Sequence, residues 1–181
     1  MTFDSRHDPT HLYFVTATII EWKQLFAETA YANIVLNSLD WLRRNGRLML
    51  FAFVLMPSHL HAIIKPQGRP IDSIIQDFGS FTAHELLKQL RSDGRDNLLH
   101  LFHAERRDSR HQHSIWQDIQ AKNVYSVDFL REKLEYIHNN PIDKQWRLAS
   151  SRAEYPYSSA CFYDRDQMPV IPVDDVRPWM L

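Results

Sequence analysis

Residues 47–65 read RLMLFAFVLMPSHLHAIIK, and this stretch decides the fold. Arg47 to Met56 is a continuous apolar run. Pro57-Ser58 punctuates it, and His59 to Lys65 follows in the same apolar style. Two such segments with a short break between them predict neighbouring strands joined by a tight turn. Side chains alternate across a strand. His59 and His61 therefore share one face, while Leu60, Ala62 and Ile64 take the other.

The elements on either side complete the pattern. His11 to Ile20 is rich in aromatic and β-branched residues and predicts a strand. Ala27 to Asn45 predicts a helix, because Ile34, Val35, Leu39 and Leu42 recur at helical spacing and Asn45-Gly46 supplies a stop. Ile71 to Leu90 predicts a second long helix striped by Ile74, Ile75, Phe78, Phe81 and Leu86. Arg91 to His111 is polar and reads as an irregular connection. Ser114 to Lys122 reads as a weaker strand. Asp128 to Asn140 predicts a third helix that Pro141 ends. The remainder reads as turns and short irregular pieces. The order β, α, β, β, α, β, α predicts an α+β fold of ferredoxin-like type: an antiparallel sheet, helices on one face, and one extra helix near the C-terminus.

Composition narrows the class. The 181 residues fit one domain, and a 44% hydrophobic content is enough for a buried core. No apolar run reaches the roughly 18 residues that span a bilayer, and Met1 to Thr10 lacks the layout of a secretory signal. One cysteine, Cys161, excludes an internal disulfide framework and a thiolate cluster. A cytoplasmic location is the expectation. The acids Asp164, Asp166, Asp174 and Asp175 mark 164–181 as an acidic tail and leave 1–163 as the main domain. A net charge of −1 gives no global basic field, so any nucleic acid must be held by local clusters. Arg43, Arg44 and Arg47 form one such cluster, and Arg106, Arg107 and Arg110 form another.

Two constellations carry chemistry. His59 and His61 on one strand face make half of a metal site. On the third helix, Glu132, Tyr136 and Asn140 are spaced by four and share a face, while Leu130, Leu134 and Ile137 form an apolar stripe. Tyr136 is a competent nucleophile if its proton is removed and its electrophile polarised. Asn140 presents a carbonyl oxygen one turn further on. Each pattern alone also fits plain structural roles, in particular an Asn helix cap and an amphipathic Tyr at a helix edge.

The runs Phe53-Val54-Leu55-Met56-Pro57-Ser58-His59-Leu60-His61 and Tyr136-Ile137-His138-Asn139-Asn140-Pro141 resemble the His-hydrophobic-His motif and the tyrosine helix of single-tyrosine insertion-sequence transposases. The later Tyr155-Pro156-Tyr157-Ser158-Ser159 resembles a segment of one branch, the REP-associated tyrosine transposases. The resemblance covers roughly Leu12 to Tyr163, and the three pieces stand in the right order. It implies that 1–163 is a catalytic domain of ferredoxin-like fold. It also implies that His59, His61 and Asn140 bind a divalent ion, Mg²⁺ or Mn²⁺. Tyr136 would then attack a DNA phosphate, stay linked to its 5′ side and release a 3′ hydroxyl. The implied substrate is a single-stranded hairpin from repetitive palindromic DNA. Two positions depart from the pattern: Ser58 stands where Asn or Glu is frequent, and Trp146 stands near a position where Gly is frequent.

Local composition makes Arg106, Arg107, Arg110, His111 and Trp116 the expected DNA-binding residues, through phosphate contact and base stacking. Three rival readings use the same residues. One is a single-strand binding module without chemistry, another is a repeat-bound regulator, and the last is a small metal hydrolase in which Tyr136 is incidental. A monomer and a homodimer sharing the tyrosine helix are both open.

Overall fold

The computed structural model describes residues 11–104 and 115–180. Strand β1 (Leu12–Ile19) leads into helix α1 (Thr29–Arg44), then β2 (Leu48–Met56) and β3 (His59–Pro66). Helices α2 (Ile71–Ser92) and α3 (Asp96–Ala104) precede β4 (Trp116–Val124), followed by α4 (Val127–Asn139) and the short α5 (Ala160–Arg165). The sheet has the order β2-β3-β1-β4, and each neighbouring pair is antiparallel. This is the predicted ferredoxin-like α+β arrangement. Met56 pairs with His59, so Pro57-Ser58 is the whole link between β2 and β3.

Every predicted strand and helix is present, with ends moved by at most two residues. Two elements are additional: α5 forms in the remainder read as turns and short irregular pieces, and α3 forms inside the stretch read as an irregular connection. It buries only Phe102 fully, so its apolar signal is too short to register as a period. At the end of α1 the chain reverses at Gly46 (φ 63), where the Gly46 and Arg47 amides donate to the carbonyls of Arg43 and Leu42.

Alternation along the strands splits the core in two. Tyr13, Val15, Ala17, Leu60, Ala62 and Ile64 face α1 and α2. Phe14, Phe51, Ala52, Val54, Met56 and Ile63 face the opposite way and receive Leu130, Leu134 and Ile137 of α4. The tyrosine-bearing helix thus lies on the second face, away from α1 and α2. Ser126 caps it by accepting from the Phe129 amide at 3.2 Å. Truncating Leu130 to Ala would cost about 2–5 kcal/mol and loosen the helix on its seat.

The free edge of β2 is covered by the chain that follows α4. The Leu55 amide donates to the Tyr157 carbonyl at 2.8 Å, and the Ser159 amide to the Phe53 carbonyl at 2.9 Å. The Tyr155 and Tyr163 hydroxyls donate to the carbonyls of Leu55 and Phe51. Further on, Asp174 accepts from the Leu50 amide at 3.0 Å and from Arg43 at 2.8 Å. Ile171, Val173 and Val176 are buried, so the acidic C-terminal stretch packs along the sheet. Among the described residues no helix is long and apolar enough to cross a membrane.

Candidate active site

The second face of the sheet places the two histidines. Both open β3 and both are buried, at 4% and 5% exposure. Cross-strand pairing sets Thr16 beside His61, and the Thr16 hydroxyl hydrogen-bonds to His61 Nδ1 at 3.0 Å. The Ser58 hydroxyl does the same for His59 Nδ1 at 3.1 Å. Ser58 therefore gives its histidine a fixing partner although it departs from the pattern expected there. With each Nδ1 held by a hydroxyl, each Nε2 is the nitrogen left to bind a ligand.

Burial sets the protonation state. It lowers His59 from 6.5 to about 4, against the opposing effect of the Asn140 amide. It lowers His61 from 6.5 to about 3, helped by the charges of His59 and Lys133. Both rings are neutral at pH 7, as metal ligands must be.

Helix α4 brings its polar face over this pair. Tyr136 is 47% exposed, and its hydroxyl lies 3.4 Å from His61 Nε2. Phe14 stacks on His61 and meets the Tyr136 ring edge-on, fixing the angle between the two. Lys133, one turn earlier, holds its ammonium 5.6 Å from the Tyr136 ring centre and pairs with Glu132 at 2.7 Å. Beyond Asn139 the chain continues as a tight turn over Asn140–Ile142, which keeps Asn140 on the face of Tyr136.

Asn140 Oδ1 is buried and has no hydrogen-bond partner at normal distance, although its amide lies close enough to His59 to favour the charged ring. An orphaned carbonyl oxygen costs about 1–3 kcal/mol, a penalty that a cation removes. Among the described residues no group of three His, Cys, Asp or Glu side chains converges on a metal position. Among the described residues, the Asn140 amide oxygen is a group that could complete a set of three with the two imidazoles. Two neutral imidazoles with one amide oxygen fit a divalent ion that completes its shell with water or phosphate.

His59, His61, Tyr136 and Asn140, chosen from sequence, are thus brought together, all from a single chain. Trp116 is a correction. It is 8% exposed, its ring lies against Phe26 and Phe78 in the core under α2, and its Nε1 donates to Thr82 Oγ1 at 2.9 Å. The aromatic signal was read as a stacking surface, but the residue opens β4 on the helix-covered face. Arg106, Arg107, Arg110 and His111 lie outside the described residues.

Thr16, Trp22, Lys133 and Trp146 also belong to the site and escaped the sequence reading. Thr16 becomes visible only once the strand register is known. Lys133 was readable, at three residues before Tyr136. Trp22 and Trp146 lie in turns, and their rings stand 5.4 and 5.7 Å from that of His59. The residue after Trp146, Arg147, has φ 49, so the left-handed conformation that glycine favours is present here without a glycine.

No family model and no curated protein matches the sequence. Among solved structures, the fold is similar to that of a REP-associated tyrosine transposase bound to a REP hairpin. The TM-score is 0.63 at 17% identity, over 97% of this chain and 93% of that one. A weaker likeness, with a TM-score of 0.46 and 14% identity, is to a putative transposase from Deinococcus radiodurans R1, over 71% of this chain and 88% of that one.

Proposed function

We propose that this chain is a divalent-metal-dependent single-stranded DNA endonuclease and strand transferase of the tyrosine transposase type, acting on hairpins of repetitive palindromic DNA. The observation that carries the reading is that the Tyr136 hydroxyl meets His61 and the Asn140 amide approaches His59, while the two imidazoles lie side by side. The fold shared with a transposase bound to a REP hairpin supports it.

In this reading His59, His61 and Asn140 hold Mg²⁺ or Mn²⁺. A bound ion supplies the charge that neutralises the non-bridging oxygens of a phosphodiester. The Tyr136 oxygen forms a bond to phosphorus, and the bond from phosphorus to the 3′ oxygen breaks. The Tyr136 phenol gives up its proton and the departing 3′ oxygen takes one up, so a 3′ hydroxyl is released and the 5′ phosphate stays on Tyr136. The phosphodiester energy is kept in that linkage, so a later 3′ hydroxyl can displace the tyrosine and join the strands. Phe14 and His61 orient the ring, and Lys133 keeps a positive charge beside it for the incoming phosphate.

Covalent capture tests this. The protein is incubated with Mn²⁺ and labelled hairpins from the palindromic repeats of its own genome, then denatured. A denaturation-resistant adduct that disappears with Tyr136→Phe or with chelator is the expected result. Binding without any adduct in the wild type would instead leave a binding module, and metal-dependent hydrolysis that survives Tyr136→Phe would leave a metal hydrolase.

A further inference from the structure

Strand β1 does not end in an ordinary turn. Glu21 (φ 52) and Trp22 (φ 53) follow one another in the left-handed region, and neither is glycine. Residues with a Cβ are strained in this region, and strain of this kind gathers where a fold must aim a side chain. The turn is held firmly. The Ile19 amide donates to the Ser58 carbonyl at 2.9 Å, the Ile20 amide to Ile115, and the Phe26 amide to the Pro57 carbonyl at 2.8 Å. Two of these anchors are the Pro57-Ser58 link that precedes His59, so the turn and the histidine are positioned by the same backbone.

The side chain aimed this way is the Trp22 indole. Its ring meets His59 edge-on at 5.4 Å and 72°, yet Trp22 is 56% exposed. Trp146 approaches His59 from another segment at 5.7 Å, but it is half-buried and packs with the second core. Besides the Tyr136 ring, Trp22 thus offers an open aromatic surface next to the histidines. Lys23 follows it with a partly exposed ammonium that pairs with the Glu21 carboxylate at 3.2 Å across exposed surface, where such a pair is weak enough for a phosphate to replace it. An exposed indole next to a cation is the pairing that holds single strands, with the base on the ring and the phosphate on the charge.

We propose that Trp22 is a stacking platform for one nucleobase of the strand lying across His59 and His61. The inference rests on the single-strand reading above and adds the residue that sets the register of the strand over Tyr136. Stacking is tolerant of sequence, so Trp22 fixes position more than base identity.

The test is a scan of hairpins carrying one abasic nucleotide, moved through the single-stranded flanks, against the wild type, Trp22→Ala and Trp22→Phe. Binding is measured on the whole protein. In the wild type, one abasic position is expected to weaken binding by about tenfold, the order of one lost stack. Trp22→Ala should weaken intact DNA by a similar factor and be indifferent to that abasic position. Trp22→Phe should keep most of the effect. If the two losses multiply at every position, or if Trp22→Ala binds intact DNA as the wild type does, the platform is overturned. Adduct formation is scored on the same DNA. Its absence in the wild type would remove the cleavage reading, while the binding profile would still decide on Trp22.

Discussion

The Tyr136 hydroxyl and Nε2 of His61 stand 3.4 Å apart, though 75 positions separate the two residues in the chain. At that distance the hydrogen bond is weak and holds little energy. Tyr136→Phe removes one oxygen from a half-exposed ring. Its effect on unfolding free energy should stay within about 0.5 kcal/mol. Covalent capture should fall to background. Thermal denaturation and a denaturing gel on the same preparation check both halves, and a large loss of stability would mean that Tyr136 is a structural residue.

Asn140→Ala separates a ligand from a helix cap. If Asn140 only ended α4, the change would destabilise the protein and leave metal affinity alone. The buried Oδ1 has no partner at normal hydrogen-bond distance, so its removal should leave the metal-free protein about as stable as before. Mn²⁺ affinity, measured by calorimetry, should drop by more than about tenfold, the lower end of what even a supporting partner of a ligand costs.

Thr16→Val keeps the shape of the side chain and removes the hydroxyl that fixes His61 Nδ1. Thr16 touches no proposed ligand atom on the metal side. Mn²⁺ affinity is expected to fall by about 10- to 100-fold as His61 loses its fixed orientation. Unchanged affinity would mean that packing against Phe14 suffices to hold the ring.

Acid should destabilise this protein early. His59, His61 and His138 are all lowered from 6.5 by burial: His59 and His138 to about 4, His61 to about 3. Below pH 6.5 the unfolded chain binds protons that the folded one refuses, so stability falls as pH drops toward 4. Above about pH 7 the contribution of these three groups is complete. In chelator, the thermal midpoint should therefore decline steadily from about pH 7 to pH 4.5. His138→Gln should shallow the slope, and an identical slope would exclude His138 as a contributor.

The fold was legible because its signals are local and repeat. The apolar run over Arg47–Met56, the break at Pro57-Ser58, the Asn45-Gly46 stop and Pro141 each mark an element without reference to any other. The site was legible where spacing along one element suffices: two for His59 and His61, four for Tyr136 and Asn140. What stayed hidden depends on pairing between elements. Thr16 meets His61 through strand register, and the Trp22 turn takes its shape from backbone bonds to a distant link. Trp116 misled for the same reason. An aromatic at the start of a strand stands in core or solvent according to which face a helix covers, and its own sequence neighbourhood does not say.

The segment after α4 ties the edge of β2 to the tyrosine helix. Ser159 bonds both the Phe53 backbone and His138 Nε2, and Arg152 links Glu135 of α4 to Asp164. These contacts come from residues that a ribosome adds after Tyr136 itself. During synthesis the histidine pair emerges first, the nucleophile second and the braces of its helix last. A chain interrupted before Arg152 has every proposed ligand and the tyrosine, but no bracing to hold them in register. The order of translation thus leaves the proposed site without these braces until residues 152–164 have been made.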